Sequence, residues 1–300
     1  TLTTPLANGS NDTLTVSAVQ DTAGNVIVTQ AIPFLYLVVV PASYKDVVIN
    51  EIFPDPTPVV GLPESEFVEI YNASSNIYDL SGWQFVNTTT VKTLPAMMLY
   101  PDSFVILCAM ADTAFFQPYG QVIGFSSWTA LSNTGDSLTL IDNNSTIIDV
   151  VSYKDSWYQD AVKKNGGWTL EQINPLTPCG SSSLNWIASI DTTGGTPGRQ
   201  NSVYNTAADI TAPSLTSVTI VNDTVLEVFF NEPMDSLSLA TGTYAFNNGL
   251  SLNSVMSIGS GMSSVLLLLN NGVDTGTFYT ITVNNVTDCP RNPIGSDNTT

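Results

Sequence analysis

The sequence predicts an all-β protein built from β-sandwiches in tandem, and three observations carry that prediction. Short runs of β-branched and aromatic residues recur through all 300 residues, with clusters of turn-forming residues between them, as in stacked antiparallel sandwiches. No segment has a sustained helical repeat with capping residues at its ends. Charged residues make up only 11% of the chain, so Thr, Ser, Asn and Gly must form most of the polar surface.

The expected strands follow one another along the whole chain. They are LTVSAV, FLYLVVV, VVINEIF, EFVEIYN, FVILCAM, SLTLID, IIDVVSY, SVTIV, TVLEVFF, VLLLL and YTITVNNV. The best helix candidate, residues 112–119, covers only a turn or two before Pro118 interrupts it. We therefore expect a short helical decoration on a loop there.

Charge and composition exclude several classes of function. Seven Lys and Arg residues against 26 Asp and Glu residues give a net charge of −19, which repels nucleic acid and anionic lipid. The chain has no histidine, the commonest general base and zinc ligand, and no G-x-S-x-G motif. No apolar run reaches the roughly 18 residues that span a bilayer. We expect no enzyme activity, no nucleic-acid partner and no membrane insertion.

The three cysteines are Cys108, Cys179 and Cys289. Their odd number and the absence of a CxxC pair indicate neither a zinc site nor a full disulfide framework. One bridge is compatible with the sequence, and we prefer Cys108 with Cys179. The first residues have neither the basic nor the apolar segment of a signal peptide, so we expect export signals to lie outside this chain.

Two stretches without apolar alternation divide the chain. They are residues 40–45 and residues 205–213, the latter ending on a proline. The predicted units are the C-terminal half of a module plus linker over residues 1–44, a central domain over 45–206, and a nearly whole module over 207–300.

An internal repeat supports this division. LTVSAVQD, beginning at Leu14, aligns with ITVNNVTD, beginning at Ile281, and the alignment places Asn25 opposite Asn292. Repeats at this scale indicate an array of modules. We therefore expect residues 1 to about 40 to be the tail half of a module whose whole version begins near Asp209.

The central segment, residues 47–204, carries a series of short motifs. In order they are INEI with Asp55 after it, EFVEIYN, DLSGW, LSNTGDSLTL, WTLE, NW and GGTPG. Through them the segment resembles the lamin tail domain, an immunoglobulin-like sandwich found in nuclear lamins and in many exported bacterial proteins. This resemblance implies modular attachment to a larger exported protein and does not itself imply activity.

The last unit, residues 209–300, resembles the immunoglobulin-like domains of bacterial S-layer and surface proteins. The matching motifs are Ala-Pro near its start, VFFNEPMD in the middle and DCPRN near its end. The fold class that the two resemblances imply is tandem immunoglobulin-like β-sandwiches. In this family the final motif reads Asp, two residues, Gly, Asn. Asp21 to Asn25 keep it, whereas Arg291 replaces the glycine, which puts the geometry of the second turn in question.

The strongest candidate site is acidic. Glu51 and Asp55 lie on or just after one expected strand, and Glu66 and Glu69 on a strand that should pair with it. Hard oxygen ligands at adjacent strand ends suit Ca²⁺, so calcium is the one cofactor that the sequence suggests. The alternative, which we prefer, is that Glu51 and Glu69 satisfy backbone groups or a lysine at the sandwich rim. Glycoside hydrolysis by the same pair is disfavoured because sandwich edges rarely form clefts.

Aromatic residues in or beside loops form a candidate binding surface. They are Trp128, Trp157, Tyr158 and Trp168. Flat rings with few charges around them can stack on sugars or partner proteins. The alternative is that these rings plug the ends of the sandwich.

Triplets of Asp, Ser or Thr, and a small or aliphatic residue recur along the chain. They resemble the O-glycosylation acceptor of bacteria with type IX secretion. The candidate acceptors are Thr13, Thr22, Thr113, Ser137, Thr224 and Ser236. The alternative is that a sequence rich in these residues produces such triplets by chance and through hairpin chemistry.

The function expected from these features is a non-catalytic structural or adhesive segment of a large secreted cell-surface protein, which spaces or presents binding loops. The alternative is a polymer- or glycan-binding module that targets an attached hydrolase. Expected partners are neighbouring domains of the same polypeptide, with extracellular polysaccharide or a surface protein beside them. We expect the chain to lie outside the cell or on its outer surface.

Overall fold

The computed structural model describes residues 4–36, 38, 40–88, 90–177, 183–207, 209–258, 262–296 and 298–300. Strands dominate these residues, and the helices are short. The prediction of an all-β protein made of sandwiches is confirmed. None of the helices in the described ranges is long and apolar enough to cross a membrane.

The first unit is an antiparallel hairpin. Its strands are β1 (Ser10–Val16) and β2 (Gln30–Tyr36), paired along their whole length. β2 is exposed at every position, so this hairpin has no core of its own among the described residues.

The central unit is a sandwich of two sheets. A six-stranded sheet has the order β10-β9-β4-β3-β13-β14, a four-stranded sheet has the order β12-β11-β6-β7, and β5 pairs with β8. The bounds are β3 Val47–Phe53, β4 Phe67–Asn72, β5 Tyr78–Asp79, β6 Gln84–Asn87, β7 Thr90–Thr93, β8 Met98–Leu99, β9 Phe104–Ala109, β10 Gln121–Phe125, β11 Gly135–Ile141, β12 Ile147–Lys154, β13 Leu170–Gln172 and β14 Trp186–Ala188. The helix α1 spans Thr113–Phe116, within the range expected for a loop decoration.

The six-stranded sheet buries both of its faces. Val68 and Ile70 point into the core between the sheets, as strand alternation requires. On the outer face, Phe67 packs in a second apolar cluster with Phe116. The rest of that face lies under a segment that we call the strap, residues 194–204. The strap lies so close that a Cβ on Gly195 would come within 2.5 Å of the Thr169 side chain, which only glycine avoids.

The last unit has its own core. Its four-stranded sheet has the order β15-β16-β19-β18, and β17 pairs with β20. The bounds are β15 Leu215–Asn222, β16 Val225–Phe230, α2 Ser236–Thr241, β17 Thr243–Phe246, β18 Leu252–Ile258, β19 Ser264–Leu269 and β20 Ile281–Asn284. The helix α2 was not predicted from the sequence, and its amino end is capped by the Asp235 side chain, which accepts from Ser238 N.

The repeat detected in the sequence is present in the backbone. In the turns 21–25 and 288–292 the aspartate N–H donates to the asparagine carbonyl at 3.0 Å, and the asparagine N–H donates back to the aspartate Oδ1. Arg291 adopts φ 77°, matching φ 85° at Gly24. The turn therefore forms despite the missing glycine, with Arg291 in the left-handed region that glycine favours.

The preferred disulfide pairing is wrong. Cys108 is a free thiol, buried on the outer face of the six-stranded sheet. Burial raises the pKa of this thiol to about 12, so it is unreactive. Cys289 is disulfide-bonded, and Cys179 lies outside the described residues.

Candidate functional site

Three glutamates stand side by side across the middle of the six-stranded sheet. Glu51 on β3 lies opposite Glu69 on β4 and also opposite Glu171 on β13. A register shift between Ile49 and Glu51 bulges β3. All three side chains are fully buried. We call them the carboxylate row.

Glu51 is the middle member of the row. Its Oε1 accepts hydrogen bonds from Thr169 Oγ1 at 2.6 Å and from Thr196 N at 2.7 Å, whereas its Oε2 has no hydrogen-bond partner among the described residues. Burial raises the pKa of Glu51 well above its usual value, and the charges of Glu69 and Glu171 raise it further. The neutral acid is therefore the favoured form of this side chain.

Glu69 is held by the strap on one side and by its own sheet on the other. Its Oε2 accepts from Gly198 N, and its Oε1 accepts from Asn50 Nδ2 at 3.0 Å. Burial is the largest cause that raises the pKa of Glu69 to about 8, against the lowering effect of these hydrogen bonds. Burial thus favours the protonated form of both neighbouring carboxyls.

Glu171 completes the row and binds the strap at three points. Its Oε1 accepts from Thr196 Oγ1 at 2.9 Å, and its Oε2 accepts from Ser202 Oγ at 2.7 Å and from Val203 N at 3.2 Å. Asn201 closes the cluster by donating to the backbone carbonyls of Asn50 and Gln172.

The carboxylate row attaches the strap to the sheet through hydrogen bonds. The strap crosses the strands without a ladder of its own, and its backbone N–H groups need acceptors because buried polar groups are costly when unpaired. The glutamates supply those acceptors. Since Glu51 and Glu69 have no exposed surface, no sugar can lie between them, and glycoside hydrolysis by this pair has no route in this structure.

Asp55 and Glu66, the other two carboxylates of the predicted calcium site, lie apart from the row. Glu66 Oε2 accepts from Trp128 Nε1 at 2.8 Å and from Leu131 N at 2.9 Å, while Asp55 Oδ1 accepts from Thr57 N at 3.3 Å. Within the described ranges, these carboxylates do not bring three oxygens within 4.8 Å of one another. The calcium site stays a prediction, and its members are now seen to have separate structural partners.

A different acidic group has that geometry. Asp209, Glu232 and Asp288 each offer an oxygen within 4.8 Å of the others, and the first two line a cavity of about 400 Å³. Burial raises the pKa of Glu232 and of Asp288, with the neighbouring carboxylates adding to it. Among the described residues, these three have the carboxylate oxygens that are best placed to share one hard cation.

The candidate aromatic residues pack against the central core. Trp128 stacks with Phe125 and donates to Glu66, and Trp157 lies against Trp186. Tyr158 is buried and donates to the carbonyl of Trp168, so its ring has no face in solvent. The Lys163 ammonium sits 4.2 Å above the Trp168 ring, a cation–π contact. The three tryptophans keep only partial exposure.

The candidate acceptors for glycosylation divide into two groups. Thr13, Thr22, Ser137 and Ser236 are exposed. The hydroxyls of Thr113 and Thr224 instead donate to Met110 O and Asn222 Oδ1, and both residues are half-buried. Modification of all six stays a prediction.

Comparison with known proteins identifies the middle of the chain. Residues 41–155 match the family model of the lamin tail domain, an immunoglobulin-like fold that is typically non-catalytic and serves as a structural module. The resemblance seen in the sequence is confirmed over this range. The sandwich itself continues further, through β13, β14 and the strap. No curated protein matches the chain.

Proposed function

We propose that this chain is a non-catalytic structural segment of a large secreted cell-surface protein, in which sandwiches joined in series space or present binding loops. One observation carries the proposal. The units on either side of the lamin tail domain contain the same hydrogen-bonded turn, 21–25 and 288–292. A module repeated on both sides of a different domain is the arrangement of a linear array.

The way the linkers attach to the central sandwich supports a spacer. On the amino side, Lys45 N donates to Ile148 O, and the Lys45 ammonium forms an ion pair with the buried Asp149. On the carboxyl side, Asn205 N donates to Ile173 O. Linkers bound to the domain that they leave limit the angles between units more than free coil does.

The burial and the hydrogen bonds of the carboxylate row support the absence of a catalytic role. The carboxylate row has no exposed surface, and all but one of its oxygens accept hydrogen bonds. A general acid or base must reach the proton that it transfers, and these groups reach only other buried groups of the strap and the sheet.

Two experiments test the proposal. Purified chain should give no turnover with polysaccharide, phosphodiester, ester or peptide substrates, and Glu69→Gln should give the same baseline. Turnover that Glu69→Gln abolishes would overturn the non-catalytic assignment. Antibodies against the chain should label intact cells that make it, and labelling confined to lysed cells would overturn the surface location.

A second candidate function, binding of a glycan that brings an attached hydrolase to its polymer, is favoured by one groove. Its volume is about 260 Å³, and its lining includes Tyr71, Asp102, Phe104 and Tyr204. The Tyr71 ring stacks on Phe104 at 4.6 Å, and its hydroxyl donates to Asp102 Oδ1. A rigid aromatic wall beside a carboxylate offers a sugar both an apolar face and an acceptor.

A glycan array separates the two candidates. Binding that is lost in Tyr204→Ala but kept in Trp128→Ala would place a ligand in this groove, and the reverse result would place it at Trp128. Circular dichroism of both variants should show an unchanged fold. If neither neutral nor acidic glycans give a signal, the glycan-binding function is excluded and the spacer function is the candidate that remains.

A further inference from the structure

The hairpin β1–β2 exposes apolar side chains that a folded domain normally covers. Leu14 and Val19 are each 55% exposed and Val28 is 81% exposed. Residues 1–36 contain two aspartates and no lysine or arginine. Natural edge strands carry charges, especially lysine, that keep other strands away. An exposed apolar surface of this kind, without lysine or arginine, marks a surface that is normally covered.

The last unit shows what covers the equivalent surface. Ile281, Val283 and Val286 align with Leu14, Val16 and Val19 in the repeat, and they are 3%, 0% and 0% exposed. Their cover consists of β17, which pairs with β20, and of the core side chains from β16 and β19.

The equivalence extends well beyond the turn. Gly9 (φ 77°) corresponds to Gly276 (φ 84°), and Ala18 corresponds to Asn285, both at φ 58°. Ile27 N donates to Val19 O, as Ile294 N donates to Val286 O. Left-handed residues and ladder bonds recur at the same spacing from residue 9 to residue 27, so the alignment has no gap over that range. Continued to the start of the chain, it places Thr1 opposite Leu268 in β19.

We propose that β1–β2 is the closing hairpin of an immunoglobulin-like module, and that its apolar face docks a set of strands of the kind formed by residues 209–267, carried by the same polypeptide ahead of Thr1. This inference extends the array of the proposed function by one domain. The alignment also fixes the join, because residue 267 of such a set would precede Thr1 directly. The edge of β1 that faces away from β2 corresponds to the edge of β20 that binds β17.

A graft tests the proposal on the full chain. A second copy of residues 209–267 is fused directly ahead of Thr1, and hydrogen exchange is measured at the β1 amides. We expect exchange at Thr13 and Thr15 to slow by at least about tenfold relative to the ungrafted chain. Val16→Asp in the grafted chain should return exchange to the ungrafted rate, because it puts a charge into the new core.

A register control keeps the test decisive when a graft folds poorly. Deleting one residue at the join turns every side chain to the wrong face of the sheet, so this version should give no protection. Equal protection by both grafts would overturn the proposal, as would a graft that stays unfolded while the last unit is intact. The remaining occupant is a second copy of the chain, and sedimentation of the ungrafted chain tests for it. Self-association that Val16→Asp abolishes would assign the surface to a second copy. None of these outcomes affects the turnover or surface-labelling tests.

Discussion

The turns 21–25 and 288–292 share the hydrogen bonds between their aspartate and asparagine, but the pKa values of the two aspartates shift in opposite directions. In the exposed copy, hydrogen bonds from Asn25 hold the pKa of Asp21 below its usual value. In the buried copy, loss of water raises the pKa of Asp288 even though Asn292 makes the same bonds. A short motif therefore fixes its own backbone geometry, whereas the surrounding strands decide the energy of its charge.

Glu51 and Glu69 show the strongest effect of burial, and we expect them to set the pH dependence of stability. A carboxyl with a raised pKa stabilises the fold fully below the unfolded value of 4.5 and loses that contribution as pH rises to about 8. Stability to urea should fall across this window, roughly by several kcal/mol. Glu69→Gln should make the curve less steep, with Glu51 supplying the remaining slope, and Asp21→Asn should leave the curve unchanged. A native curve that rises across the window would contradict this account.

Apolar burial gives the next largest contrast. Ile281→Ala should destabilise the last unit by about 2–5 kcal/mol, because Ile281 is buried and leaves a cavity. Leu14→Ala, its equivalent in the hairpin, should change thermal unfolding by less than about 0.5 kcal/mol. Equal losses would mean that Leu14 is covered in the folded chain, against the exposure seen here.

The motif aspartates should differ in the same direction. Asp288→Ala removes the acceptor for two donors of Asn292 in a buried setting, and we expect a loss of about 1–3 kcal/mol. Asp21→Ala should speed exchange of the Asn25 amide without changing the global unfolding midpoint. Calorimetry of both variants, with exchange measured in parallel, checks the pair.

The left-handed position gives a smaller contrast with a predictable sign. Arg291→Gly should stabilise the last unit by about 0.5–1 kcal/mol, because glycine adopts positive φ at less cost than arginine. Gly24→Ala should loosen the other turn by about 1 kcal/mol, a purely conformational effect since a Cβ there meets nothing within 4 Å. The midpoint of the last unit reports the first change, and exchange at Ile27 reports the second.

The smallest effect is a difference between two titrations. NMR of the aspartate carboxyls should show Asp21 titrating below 3.8 and Asp288 above it. Asp21 thus stabilises its turn above pH 3.8 and loses that contribution as pH falls through its lowered pKa. Asp288 contributes fully below pH 3.8 and loses the contribution as pH rises through its raised pKa. Identical titrations would remove the role assigned to burial.

Strand runs and turn motifs were readable in the sequence because they are local. VVINEIF forms β3 over its whole length, and Val68 and Ile70 alternate into the core as expected. Strands of two to four residues, such as β5 and β13, were not predicted because they have too few residues to show alternation. The helix α2 was not predicted because it is also short: the cap at Asp235 precedes only six helical residues.

The site was half predictable. Glu51 and Glu69 were expected to meet because their strands follow each other in the chain and pair. Glu171 was missed although its motif, WTLE, was noted, because its strand joins β3 from more than a hundred residues away. GGTPG was noted only as a motif, and nothing local indicates that its N–H groups donate to buried carboxylates. The sequence does not show which distant strands pair, or in which register.

The linkers and the strap also determine how the chain transmits force. Asp149 accepts from Ile49 N and pairs with Lys45 at the amino linker, while Glu51, two positions further along β3, accepts from Thr196 in the strap. Tension applied to the two flanking units therefore enters the sandwich at neighbouring points of one central strand. We therefore expect the load to cross a short path through β3 and to leave the rest of the sandwich, with the loops that it presents, unstretched.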